Sequence, residues 1–111
     1  MPHVDLALTD VPLNSPFRVT HAGMNLVVMR TESQIVAYED SCPHAFWPLS
    51  EGSIANGVLE CPGHGWEFDV ATGRCVNAPA YCLTAVTVLS DGHNVRLHWE
   101  NKQIPAASPR V

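Results

Sequence analysis

The chain has 111 residues, 46% hydrophobic and 15% charged, with a formal net charge of −5. That composition excludes a disordered chain and suits one compact domain, residues 1–111. No Lys/Arg run is present and the longest apolar stretches, such as Asn25–Met29, fall far short of the roughly 18 residues a membrane helix needs, so neither nucleic acid nor membrane is an expected partner. The N-terminus has no basic segment leading into an apolar run, so a cytoplasmic protein is expected, one whose cysteines serve as metal ligands or free thiols rather than disulfides.

In chain order, apolar residues recur at period two, as in Val4-Asp5-Leu6-Ala7-Leu8 and Val95-Arg96-Leu97-His98-Trp99. Strands are predicted at 4–8, 17–21, 25–30, 34–38, 58–60, 66–69, 84–89 and 94–99. Turn signals separate them: Asn14-Ser15-Pro16, His21-Ala22-Gly23, Asn56-Gly57, Thr72-Gly73 and Asp91-Gly92. A single helical turn at 9–13, capped by Thr9, is the most helix the pattern supports. Many short strands at this spacing predict an all-β antiparallel sandwich or small barrel. The stretch near 40–80 is different, with Pro-rich tight loops and two of the three tryptophans, Trp47 and Trp66. It reads as a small loop-built subdomain on a β-scaffold, the usual place for function. The tail at 103–111, with two prolines, is expected to be loosely ordered.

Two short segments carry the chemistry: Cys42-Pro43-His44 and Cys61-Pro62-Gly63-His64. Each offers one soft thiolate and one imidazole, in a turn stiffened by proline and following a predicted strand. This C-x-H…C-x-x-H pair resembles the Rieske family. Ala37–His44, Leu49-Ser50-Glu51-Gly52, Cys61–Asp69 and the Pro79 loop extend the likeness along nearly the whole chain. The resemblance implies the Rieske fold: an antiparallel β-sandwich base and a cluster-binding subdomain. It also implies one [2Fe–2S] cluster, with Cys42 and Cys61 on one iron and His44 and His64 on the other. Replacing two thiolates by neutral imidazoles raises the potential above that of all-thiolate ferredoxins. A structural Cys₂His₂ zinc site is the bland alternative. Zinc fingers, however, usually pair Cys with Cys and His with His.

Respiratory relatives carry an extra cysteine in each cluster loop, forming a disulfide; the matching places here are near Trp47 and at Gly63. They also place Ser and Tyr after the second histidine, where this chain has Trp66 and Phe68, which cannot donate to cluster sulfurs in that way. A low potential follows. The likeness is to a soluble ferredoxin component of a bacterial multicomponent oxygenase. Such a component is not itself an enzyme. It is expected to act as a monomer and meet its partners transiently, taking single electrons from a flavin-dependent NADH reductase. The segment Leu49–Ser53, Trp66 and Tyr81-Cys82-Leu83 favour ferredoxins of di-iron aromatic or alkene monooxygenases. Those of Rieske ring-hydroxylating dioxygenases are the alternative.

Phe46 and Trp47 stand where many relatives have small residues; they either wall off the cluster or anchor a partner. Trp66, Phe68 and Pro79 are further candidates for tuning or docking, with Pro79 on a third loop over the cluster. Cys75 and Cys82 read as packed free thiols, or as a disulfide between them. His3, His21, His93 and His98 read as ordinary surface or strand residues.

Overall fold

The computed structural model describes residues 3–32, 34–43, 47–63 and 65–99. These hold the strands β1 His3–Ala7, β2 Phe17–His21, β3 Met24–Arg30, β4 Ile35–Glu39, β5 Ser53–Ala55, β6 Val58–Glu60, β7 Glu67–Asp69, β8 Ala85–Ser90 and β9 Asn94–His98. Every strand pairing is antiparallel. The larger sheet runs β1-β9-β8-β4-β3-β2 and the smaller is the meander β5-β6-β7.

Strand β8 turns the corner of the larger sheet. Its first residues, Ala85 and Val86, pair with Tyr38 and Ala37 of β4, whereas Thr87–Ser90 pair with β9. The two halves close over a core of Val19, Leu26, Val28, Ala37, Val86, Val95 and Leu97, which makes the base a sandwich. Successive side chains on a strand point to opposite faces. Leu26 and Val28 of β3 therefore enter this core, while Val27 and Met29 face the other way, into a second cluster shared with the small sheet. All four are fully buried. The unbroken apolar run is the mark of a strand covered on both faces.

The strand order matches the sequence reading, with ends moved by a residue. Two differences have clear causes. Strand β5 leaves no period-two signal in the sequence, because it has three residues and only Ile54 packs on the core. The Asn56-Gly57 turn nonetheless closes a two-residue hairpin, with φ of 54° and 77°, as the mirror-image type I′ turn requires. The helical turn lies at Leu8–Asp10 rather than 9–13. Ala7 occupies its cap position without a side-chain bond, so Thr9 caps nothing. Val11 is buried, and the chain leaves the turn there. The loose tail expected at 103–111 lies outside the described residues.

Tyr38 ties the base to the small unit. Its hydroxyl donates to the Val70 carbonyl at 2.7 Å. Burial, with the Asp69 charge as a lesser cause, pushes this phenol up to about 12.

Candidate metal centre

Cys42 lies three residues beyond β4 and Cys61 directly beyond β6. Both are buried, outside any disulfide, and share one apolar cluster with Leu49, Leu59 and Phe68. The two loops they open are closed in the same way. The Cys42 amide donates to the Trp47 carbonyl at 2.9 Å, and the Cys61 amide donates to the Trp66 carbonyl at 2.7 Å. Each closure spans a Cys-Pro start and ends on a tryptophan five positions on. Of the sequence-predicted site residues, His44, Phe46 and His64 lie outside the described residues.

The first loop is anchored by a carboxylate that sequence reasoning did not single out. Asp40 Oδ1 accepts from the Ser50 amide at 2.7 Å and Oδ2 from the Ser50 hydroxyl at 2.6 Å. Arg18 Nε of β2 lies 3.1 Å from the same Oδ2. A fully buried carboxylate must be paired, and here Ser50 at the loop's far end and Arg18 of β2 pair with it. The signal was present in the stretch Asp40…Ser50, but only the fold brings Arg18 to it. Gly52 then packs so tightly on the Glu60 carbonyl that a Cβ could not be placed there. The end of the first loop thus rests on the strand that delivers Cys61.

A third loop borders the same cluster. The Cys75 amide donates to the Tyr81 carbonyl at 3.0 Å, and Cys75 Sγ accepts from the Ala78 amide at 3.3 Å. Ala78 packs against the cluster that holds Cys42 and Cys61, while Pro79 is exposed beside it. Trp66 is half-buried and meets Tyr81 edge-on, with centroids 5.2 Å apart. Phe68 is fully buried among the thiols' neighbours. Trp47 is 45% exposed. Cys75 is a buried free thiol and Cys82 an exposed one, so the disulfide alternative is not formed. His21 sits far along the base, edge-on to Trp99 at 6.2 Å.

Residues 2–104 match the description "Rieske [2Fe-2S] domain". The chain belongs to the Rieske family. A Rieske domain carries one [2Fe–2S] cluster, and the donor chemistry fits: two buried, undisulfided cysteines open two matched loops. Among curated proteins, the chain is similar to "Protein TIC 55, chloroplastic" of Pisum sativum, 41% identical over 63% of this chain but only 13% of that one. It is similar to "Ferredoxin CarAc" of Metapseudomonas resinovorans, 39% identical over 66% of this chain and 69% of the relative. Among solved structures, a chain from the complex of reduced oxygenase and oxidized ferredoxin in carbazole 1,9a-dioxygenase superposes with a TM-score of 0.77. Identity there is 32%, covering 86% of this chain and 92% of that chain. This Rieske domain thus spans about an eighth of the first relative's length. Among its described residues no helix is long and apolar enough to cross a membrane.

Proposed function

We propose that the chain is a ferredoxin, a one-electron carrier and not an enzyme, whose cluster is held by Cys42 and Cys61 on one iron and His44 and His64 on the other. When bound, the cluster supplies one electron at a time. The observation that carries the reading is the pair of buried, undisulfided cysteines on loops closed by the same amide-to-carbonyl bond. The chain's own residues supply the rest: an apolar wall of Leu49, Leu59 and Phe68 that keeps water from the thiolates, and the Asp40–Ser50 brace that fixes the first loop. The cluster-bearing unit is about 40–80, a reading supported by the meander β5–β7 and the loops around it falling within that stretch.

The donor is a flavin-dependent NADH reductase and the acceptor an oxygenase component, met transiently. Exposed Trp47 on the first loop and Val76 and Tyr81 on the third border the thiols and suit a small apolar contact. Likeness to the carbazole dioxygenase ferredoxin favours a ring-hydroxylating dioxygenase as acceptor over the di-iron monooxygenase that the motif details suggested.

Protein matured in its native host should contain two irons and two acid-labile sulfides per chain and give, once reduced, the low average g value of a histidine-ligated cluster. It should also couple NADH oxidation to hydroxylation when mixed with a reductase and a dioxygenase. Stoichiometric zinc without sulfide would overturn the reading. Coupling to a di-iron hydroxylase alone would restore the first acceptor.

A further inference from the structure

Trp47 and Gly63 stand on different cluster loops, and in the fold they meet. A Cβ added at Gly63 would lie 2.5 Å from Trp47 Cδ1 and Nε1 and 2.7 Å from Cε2. The five-membered edge of the indole is therefore laid directly on the Gly63 backbone. Gly63 is not among the glycines with positive φ, so its backbone conformation is open to any L residue. What demands glycine there is the indole.

Trp47 is thus anchored twice. Its carbonyl closes the first loop on Cys42, and its ring closes on the second loop between Pro62 and His64. Trp66 repeats the pattern one loop further on: its carbonyl closes the second loop on Cys61, and its ring meets Tyr81 of the third. We propose that the Trp47–Gly63 contact is a noncovalent clasp that joins the two cluster loops, making Trp47 a positioning residue for the segment that presents His64. The family resemblance puts the inter-loop disulfide of respiratory Rieske domains near Trp47 and at Gly63. Because the ring also stays half-exposed, the clasp lies at the surface a redox partner would meet.

The inference rests on the assignment of Cys42, His44, Cys61 and His64 as ligands, and a double-mutant cycle separates the two. Trp47→Ala, Gly63→Ala and the double variant are compared with the wild type, with Trp47→Phe as a milder change should Trp47→Ala not fold. Three quantities are read on each holoprotein: bleaching of visible absorption in the presence of an iron chelator, the midpoint potential, and the g values of the reduced form. Each single alanine variant should lose its cluster faster, on the order of tenfold, with altered potential and g values. The double variant should be no worse than Trp47→Ala, because the new methyl fills space the indole has left. Trp47→Phe should fall between wild type and Trp47→Ala. Additive losses, or single variants with unchanged lifetime and potential, would overturn the clasp. A wild type without iron and sulfide would instead overturn the ligand assignment beneath it.

Discussion

Ser50 meets Asp40 with two donors, its amide at 2.7 Å and its hydroxyl at 2.6 Å, and so ties the far end of the first cluster loop to the residue two positions before Cys42. Asp40→Ala strips both donors of their partner and leaves Arg18 without its counter-ion. Unsatisfied donors at a part-buried site cost about 1–3 kcal/mol, enough to lower the melting temperature of a domain this size by several degrees. Thermal melts of the holoprotein, with cluster absorption followed in parallel, should show Asp40→Ala falling well below Ser50→Ala, which keeps the amide bond.

The Tyr38 phenol gives a pH dependence of definite sign. Its ordinary value of 10.0 is raised to about 12, chiefly by burial. Between those values the unfolded chain has lost a proton that the folded chain retains, so stability falls as pH rises. The contribution is whole below about pH 10 and gone once pH has climbed through about 12. Tyr38→Phe should be less stable at neutral pH by about 1 kcal/mol, through loss of the bond to Val70. It should also show a shallower decline between pH 9 and 11 (denaturant titrations at both values measure this). Parallel declines for the two proteins would refute the assignment.

The β2–β3 hairpin carries avoidable strain. Ala22 and Gly23 form its two-residue turn with φ of 53° and 79°. Alanine pays a steric penalty in that region, whereas asparagine is at home there. Ala22→Asn should raise the melting temperature by a few degrees, corresponding to about 0.5–1 kcal/mol, with cluster spectrum and potential unchanged. Ala22→Val should do the reverse.

Phe68 is fully buried in the cluster that contains Cys42 and Cys61. With neither Trp66 nor Phe68 able to donate a hydroxyl to cluster sulfur, the potential should sit near the low end of the Rieske range, about −150 mV. Phe68→Tyr should raise it if the new hydroxyl reaches a sulfur, and His64→Cys should lower it by adding negative charge. Protein-film voltammetry decides; a wild-type value above zero would contradict the reasoning.

Val76 is 54% exposed on the third loop, where its amide donates to the Glu67 carbonyl. Val76→Ser removes apolar area without disturbing that bond. It should raise the ferredoxin concentration giving half-maximal oxygenase turnover by a few-fold while leaving the potential alone. With a net charge of −5, the wild type should lose turnover as salt rises, through slower association. Equal half-maximal concentrations for the two proteins would remove Val76 from the contact.

The class of fold and the four donors proposed for the cluster were both legible in the chain alone, because both rest on short-range pattern. Cys-Pro-His and Cys-Pro-Gly-His are contiguous, a two-residue period fixes strand faces, and the run Leu26–Met29 already demands cover on both sides. Pairs such as Asn56-Gly57 fix turns through their own backbone preferences. What holds the site together had no such record. Arg18 of β2 reaches Asp40, whose other partner Ser50 lies at the far end of the first loop, and the Trp47–Gly63 and Trp66–Tyr81 contacts each join separate loops. Contacts of that kind depend on how β3 and β4 are sandwiched between the base core and the meander. A side chain's chemistry is local, but its neighbours across the fold are chosen by chain topology and packing.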